Sequence, residues 1–192
     1  MLTHRADFTR NERRILDAAA QVLAASPTAG MAQIAGAARL GRATLYRHFP
    51  TREALLEGLR AEALDAVGDV VARCVTPVLA GAPGAPTPTA ALTRAVEELV
   101  AVGDRYRLIL GRDEAPWREA ARRRLELPLT RLVERAQAAG ELDAAVPAGW
   151  VVIACSGLLG RVLDALSEGR LDADEARRIV VRGLLDGFRP RP

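Results

Sequence analysis

The chain has 192 residues, which is enough for one compact unit, or two small ones, around a buried core. Hydrophobic residues make up 49% and charged residues 27%, as in an ordinary globular protein. Aromatic residues are only 4%, so the core must consist mainly of Leu, Val, Ala and Ile. All 27 basic residues are arginine, a bias that GC-rich coding DNA explains and that says little about function.

Charge is unevenly distributed along the chain. Residues 1–60 contain nine arginines and five acidic residues, a net charge of +4. The other 132 residues contain 18 arginines and 19 acidic residues, a net charge of −1. This excess favours a polyanionic partner for the N-terminal third, although a solvated basic face produces the same pattern.

Cysteine usage and hydropathy indicate a reducing, aqueous compartment. Cys74 and Cys155 lie far apart without CxxC spacing, which argues against a disulfide framework or a zinc site, and both suit small buried hydrophobes. Residues 1–14 lack the apolar stretch of a secretory signal. The longest uncharged helical run, 148–160, has 13 residues and is too short to cross a bilayer. We therefore expect a cytoplasmic protein with no membrane partner.

Helical periodicity runs through almost the whole sequence, and strand signals are nearly absent. In the N-terminal third we predict four helices, at residues 11–25, 31–38, 42–48 and 51–75. Ser26-Pro27 stops the first of these helices and Phe49-Pro50 ends the third. Thr51 is a suitable N-cap for the fourth.

The rest of the chain predicts a helical bundle. Four prolines and two glycines predict a loop at residues 76–89. Further helices are predicted at 89–102, 105–110, 116–139 with a kink or break at Pro128, 147–167 and 171–188. The predicted fold class is all-α with about nine helices, in which a three-helix N-terminal domain precedes a C-terminal bundle.

Residues 31–56 have the dimensions of a helix-turn-helix, because two helices of seven or eight residues are joined by a short turn. Apolar residues have the spacing needed to pack both helices onto the first one: Ile34, Ala38, Leu40, Leu45 and Phe49. The second helix then presents its other residues outward, where its N-terminal end fits the major groove of B-DNA. The outward residues are Arg42, Ala43, Thr44, Tyr46, Arg47 and His48.

This segment resembles the DNA-binding domain of TetR/AcrR-type transcriptional regulators. The resemblance is carried by Ile34-Ala35, Ala38, the run RATLYRHF at 42–49, and Arg52-Glu53-Ala54-Leu55. It covers about residues 10–57, and no motif identifies the remaining two-thirds. The implied domains are a helix-turn-helix domain at 1–57 and a ligand-binding and dimerisation domain at 58–192.

Four positions depart from the family pattern. Arg39 stands where the turn usually has Gly, which costs on the order of 1 kcal/mol if that position requires positive φ. Gly41 and Gly30 stand where Ser or Thr usually caps a helix, and Gly is the weaker cap. Arg52 replaces the usual Lys and keeps the positive charge for a phosphate contact.

The resemblance implies DNA-contact roles for these outward residues. Arg42 suits bidentate pairing with guanine, or a plain phosphate contact. Thr44 suits a thymine methyl group, a phosphate, or inward packing. Tyr46 and His48 suit donation to phosphate, and for His48 the alternative is a packed histidine. Arg47 and Arg52 are expected to neutralise phosphates, and Ala43 to lie on the contact face.

Residues 150–166 are hydrophobic on every side of their predicted helix, so the helix must be buried on every side. The resemblance implies that the last two helices pair with their copies in a homodimer. The alternative is a buried central helix in a monomer. The expected interface residues are Trp150, Ala154, Gly157, Leu158, Arg161, Ile179 and Leu184.

The resemblance also implies a small-molecule pocket in the C-terminal domain, for an unidentified ligand. Apolar rings with polar tips suit such a site, but the same side chains suit an ordinary core. The candidate residues are Val71, Cys74, Leu99, Val102, Tyr106, Trp117 and Leu129.

The function expected from these features is sequence-specific transcriptional regulation. The expected protein is a repressor that leaves a palindromic double-stranded operator when it binds a ligand. The alternatives are a ligand-independent DNA-binding protein and an activator of the same fold. We expect no enzyme activity, cofactor or metal site, because no catalytic triad, metal-spaced cluster or phosphate loop is visible.

Overall fold

The computed structural model describes residues 2–110, 119–120 and 122–190, and every regular element in this part of the chain is helical. The prediction of an all-α fold is confirmed. Two π-helical turns also occur, at Val71–Val75 and Arg122–Glu126. The α-helices are α1 (Leu2–Ala25), α2 (Met31–Ala37), α3 (Arg42–His48), α4 (Arg52–Val70), α5 (Thr76–Leu79), α6 (Pro88–Leu110), α7 (Leu127–Ala138), α8 (Ala148–Ser167) and α9 (Ala173–Gly187).

The chain divides into two compact units. The first comprises Met1–Ala63 together with Arg105–Arg112, and the second comprises Leu64–Asp104 and Asp113–Pro192. Both α4 and α6 therefore contribute residues to each unit. The roles predicted for residues 1–57 and 58–192 stay predictions.

The N-terminal unit is built around α1. Ile15 in α1, Ile34 in α2 and Leu45 in α3 are fully buried, as are Leu55 and Leu59 in α4. Their spacing places one apolar stripe of each helix in a common core, since residues three or four apart share a helix face. This core is what orients α3.

The C-terminal unit has a single aliphatic core. It combines the end of α4 with α6, α7, α8 and α9. Leu132 and Val133 in α7 and Val151 in α8 are among its fully buried side chains. Asp172 caps α9 by accepting hydrogen bonds from the backbone N–H groups of Asp174 and Glu175.

Several helix limits differ from those predicted. The first helix begins at Leu2, not at residue 11; residues 8–10 are exposed, so no buried apolar stripe marks this part of the helix in the sequence. Helix α5 occupies part of the predicted loop. Pro77 is tolerated there because the N–H groups in the first turn of a helix have no intrahelical acceptor, so the N–H that proline lacks is not needed.

The two helices predicted at 89–102 and 105–110 lie within α6, as two helical segments joined across a kink. Tyr106 alone has non-helical angles within it, φ −112° and ψ 16°. Near the kink or break predicted at Pro128, α7 begins at Leu127, directly after the π-helical turn Arg122–Glu126, with proline in its first turn.

Candidate DNA-binding interface

Helix α3 is oriented by its buried side. Leu45 is fully buried, and Phe49, which directly follows α3, is almost fully buried. Arg42, Ala43 and Arg47 are exposed, and Tyr46 exposes 48% of its surface. Thr44 is half-buried. The opposite side of α3 is therefore a basic and aromatic surface open to solvent.

The turn before α3 is held by backbone and side-chain hydrogen bonds. Leu40 donates its backbone N–H to Ala35 at 3.0 Å, and Arg39 donates to Gly36 at 3.0 Å. The guanidinium of Arg14 in α1 donates to the carbonyl of Ala38 at 2.9 Å. The two backbone bonds hold the turn to α2, and the bond from Arg14 ties it to α1, so together they fix the position at which α3 begins.

Arg39 adopts the left-handed conformation, with φ 53°. Among the described residues it is the one non-glycine residue with positive φ. An L residue with a side chain is strained there, which is why this position suits glycine. The expectation of a strained turn is confirmed.

Glycine caps both short helices. Gly30 precedes α2 and Gly41 precedes α3, each in an extended conformation and without a side-chain acceptor for the first turn. Gln33 partly compensates in α2, because its side-chain oxygen accepts from the N–H of Gly30 at 2.9 Å.

Arg42 and Arg47 make no hydrogen bond or ion pair with the described part of the chain. Arginine is a donor only, with five N–H groups in a planar fork. Unengaged guanidinium groups on an exposed helix face suit phosphate oxygens and the acceptor edge of guanine.

Arg52 is engaged within the protein. Its guanidinium donates to the carbonyls of Ala29 and Pro27, the latter at 2.8 Å, and so ties the first turn of α4 to the segment before α2. Sequence reasoning overlooked this brace, because a basic residue at a helix N-terminus gives no sign of carbonyl groups that approach from elsewhere. Its phosphate contact stays a prediction.

His48 packs against α1. Its ring lies on that of Phe8, with centroids 3.9 Å apart, and its buried Nδ1 has no hydrogen-bond partner among the described residues. Burial lowers the pKa of His48, Glu12 opposes this shift, and Arg47 adds to it. A neutral, packed imidazole is the arrangement that this geometry favours.

Comparisons with known proteins identify the N-terminal segment. Residues 15–59 match the family described as bacterial regulatory proteins, tetR family. A 50-residue segment is 52% identical to the HTH-type transcriptional repressor LfrR of Mycolicibacterium smegmatis. This match covers 26% of the chain and 26% of that repressor, so it spans about a quarter of the curated relative.

Solved structures extend the likeness to the whole chain. The structure of the TetR-like transcriptional regulator LfrR from Mycobacterium smegmatis in complex with proflavine is 27% identical, with a TM-score of 0.69. The similarity covers 95% of this chain and 99% of that one. Residues 15–59 of the chain therefore carry the N-terminal segment of the tetR family, and the chain as a whole is similar in fold to TetR-like regulators.

A second TetR-family structure supports the fold alone. PfmR from Thermus thermophilus is 20% identical, with a TM-score of 0.69 over 90% of this chain and 97% of that one. Helices α2 and α3 lie within the segment that matches the tetR family and form the helix-turn-helix of a DNA-binding domain, so the residues at its surface are candidate DNA contacts.

Most candidate ligand-binding residues lie in the core of the C-terminal unit. Val71, Cys74, Leu99 and Leu129 are buried in one apolar cluster, and Val102 packs against it. Cys74 donates its thiol to Glu98 at 3.4 Å, and burial raises the pKa of this thiol. These contacts suit an ordinary core as well as the wall of a pocket.

Tyr106 lies apart from the other candidate ligand-binding residues. It belongs to the N-terminal unit, where it is 4% exposed and hydrogen-bonds to Glu62 in α4. Trp117 lies outside the described residues.

Most of the candidate dimer residues are exposed on α8 and α9. Trp150 exposes 63% of its surface and Ile179 41%, and Ala154, Gly157 and Arg161 are also exposed. Leu158 is half-buried, and the side chain of Leu184 lies outside the described ones. Sequence reasoning missed Ile153, which is 57% exposed, although it follows Trp150 at helical spacing.

Proposed function

We propose that this protein is a transcriptional repressor that binds a palindromic operator as a homodimer and leaves it when a small molecule binds. The observation that carries the proposal is the exposed side of α3, where Arg42, Tyr46 and Arg47 point away from the buried Leu45. An α-helix of this kind enters the major groove and reads base edges with residues near its N-terminus. Such a role belongs in the cytoplasm, where the DNA is.

The C-terminal helices support a homodimer. The stretch Ala148–Leu166 is long and apolar enough to cross a membrane, and only 22% of it is buried, so its exposed face needs a cover. The uncharged part of this helix ends before Arg161 and Asp164, which is why the sequence predicts a run too short to span a bilayer. These two residues form an exposed ion pair at 3.1 Å on α8, and charge is costly in hydrocarbon. This face, which is partly apolar and partly charged, suits contact with a second copy of the chain. The two-fold symmetry of such a dimer would match a palindromic operator.

The proposal of a small-molecule ligand is based on a similar protein. LfrR, which is 27% identical over almost its whole length, has a structure in complex with proflavine. We propose that the C-terminal unit of this chain also binds a small molecule, close to the cluster that includes Cys74, Leu99 and Leu129. The ligand would release the repressor by favouring a state with lower DNA affinity.

DNA binding is tested by fluorescence anisotropy with a short random-sequence duplex over a range of salt concentrations. We expect the slope of log affinity against log salt to fall by about two units in the Arg42→Ala/Arg47→Ala double variant, since each arginine neutralises a phosphate when binding is nonspecific. Arg131→Ala, which removes an exposed arginine of α7, should leave the slope unchanged. A wild-type protein that does not bind the duplex would overturn the proposal.

Dimerisation is tested by sedimentation velocity. Trp150→Glu/Ile153→Glu should produce monomers, because two charges would lie in the proposed interface. The control is Leu127→Glu, since Leu127 exposes 42% of its surface outside the face of α8 and α9. A wild-type monomer at micromolar concentration would contradict the proposed dimer.

A further inference from the structure

The end of α6 belongs structurally to the N-terminal unit. Residues from Arg105 onward group with Met1–Ala63, whereas the preceding part of α6 groups with the C-terminal unit. The regular helix is interrupted at Tyr106, directly after this division. Tyr106 is 4% exposed, so a large polar-tipped ring from α6 is buried within the unit that carries α3.

Arg105 connects this end of α6 to two other helices. Its guanidinium forms an ion pair with Asp17 of α1 and lies 3.9 Å from Oε1 of Glu62 in α4. The guanidinium carbon of Arg105 lies 5.3 Å from the centre of the Tyr106 ring, within cation–π range. One positive group therefore stands between carboxylates of α1 and α4.

Glu62 is the least satisfied member of this cluster. Tyr106 hydrogen-bonds to it, but its buried Oε2 has no partner among the described residues. Burial raises the pKa of Glu62 and Asp17 adds to this, while Arg105, Tyr106 and Arg13 oppose the shift. Burial, and then Glu62, also raises the pKa of Tyr106 to about 12, so its hydroxyl remains a proton donor at neutral pH.

We propose that Asp17, Glu62, Arg105 and Tyr106 form a clasp through which α6 controls DNA affinity. The closed clasp holds α1 against α4, and α1 in turn fixes the turn before α3 through the bond from Arg14 to Ala38. Withdrawing Arg105 and Tyr106 leaves the carboxylates of α1 and α4 without their shared cation and frees α1 to move. The four residues position the DNA-binding surface and do not contact DNA themselves.

The chemistry of the clasp suits a reversible contact. The side chains of Arg105 and Asp17 are each nearly half exposed, at 45% and 48%, and such ion pairs contribute little net stability. The orphaned oxygen of Glu62 further weakens the closed state, because a buried acceptor without a donor is unfavourable. Since α6 is one continuous segment, a change in its part of the C-terminal unit reaches Arg105 along the chain.

This inference rests on the proposed DNA-binding function, and two measurements distinguish their failures. Amide hydrogen exchange reports the clasp without DNA: Arg105→Gln and Tyr106→Phe should speed exchange in the middle of α1 and around Glu62. Arg94→Gln, in the part of α6 that belongs to the C-terminal unit, should not. Unchanged exchange in both Arg105→Gln and Tyr106→Phe would overturn the clasp, even if the protein binds DNA.

Anisotropy with a short random-sequence duplex reports the effect on binding. We expect Arg105→Gln and Tyr106→Phe to weaken binding about two- to fivefold, with circular dichroism showing folded protein. The salt slope should not change, because no phosphate contact is lost. Arg94→Gln, in the other part of α6, is the matched control.

Two binding results would overturn the clasp. A salt slope lower by about one unit in Arg105→Gln would mean that Arg105 contacts a phosphate. Wild-type affinity in both Arg105→Gln and Tyr106→Phe would mean that α6 has no effect on DNA binding. If the wild-type protein binds no duplex but the two variants show the expected exchange changes, the proposed function is overturned and the clasp itself still stands.

Discussion

The ring of Phe8 lies against the imidazole of His48, with ring centroids 3.9 Å apart. Phe8 belongs to the first turns of α1, and His48 is the last residue of α3. The early part of α1 therefore supports the end of the helix that carries the candidate DNA contacts. This contact makes the position of α3 sensitive to the protonation state of one side chain.

Acid should weaken this support. Burial lowers the pKa of His48 from 6.5, so the unfolded chain takes up a proton at a higher pH than the folded chain does. The stability contributed by His48 is full above the unfolded pKa and is lost as pH falls through the folded pKa. From neutral pH to about pH 5.5, urea denaturation should show a larger loss of unfolding free energy in wild type than in His48→Phe. Parallel pH profiles would contradict this.

Arg39→Gly should stabilise the protein. Glycine relieves the left-handed strain at φ 53°, for an expected gain of about 1 kcal/mol in unfolding free energy, partly reduced by the freer unfolded chain. Arg39→Ala keeps the strain and serves as the control. Thermal denaturation of the three proteins measures the difference, and an equal melting temperature for Gly and Ala would remove strain as the explanation.

A Cβ atom at Gly58 in α4 would meet the core of the N-terminal unit. It would lie 2.8 Å from Cε1 of Phe49 and 3.2 Å from Cδ2 of Leu16. We expect Gly58→Ala to destabilise, since overpacking costs about 1–3 kcal/mol and outweighs the gain in helix propensity of about 1 kcal/mol.

Gly36→Ala is the matched case for Gly58→Ala. No atom lies within 4 Å of the corresponding position in α2, so here only the propensity gain applies and stability should rise. Chemical denaturation of both variants tests the contrast. If both changes shift stability in the same direction, the packing around Phe49 is not what requires glycine.

The helix-turn-helix was predictable from sequence because its signals are local. The limits of α3, residues 42–48, follow from the apolar spacing around Leu45 and from the Phe49-Pro50 stop. The strain at Arg39 was also foreseeable, since the turn between two short helices calls for glycine. In each case the information lies within a few residues of the feature.

Long-range placement was not predictable in the same way. Tyr106 follows Leu99 and Val102 on a helical pattern, so sequence alone grouped it with them, whereas the structure buries it beside Glu62. Arg52 likewise looked like a surface cation, although carbonyls of a distant segment accept its protons. Periodicity reports which face of a helix is apolar, but not which unit covers that face.

On a defined operator, Arg42 should determine sequence specificity, whereas Arg47 should contribute to affinity for any sequence. Arg42→Ala should relax the preference at one base step, which corresponds to about 1–3 kcal/mol of discrimination, because Arg42 lies at the N-terminal end of α3. Arg47→Ala should weaken binding to every sequence alike. Competition titrations with single-base operator variants measure both, and equal losses on all operators for Arg42→Ala would exclude base readout by that residue.

The central claim, that paired copies of α3 read DNA sequence, is tested most directly by selecting bound duplexes from a random pool. The expected product is a two-fold symmetric site whose half-sites lie about one helical turn, roughly 34–36 Å, apart. The Arg42→Ala variant should select the same spacing with one degenerate position in each half. A pool that stays random after repeated rounds, although wild-type protein retains duplex, would contradict sequence-specific recognition.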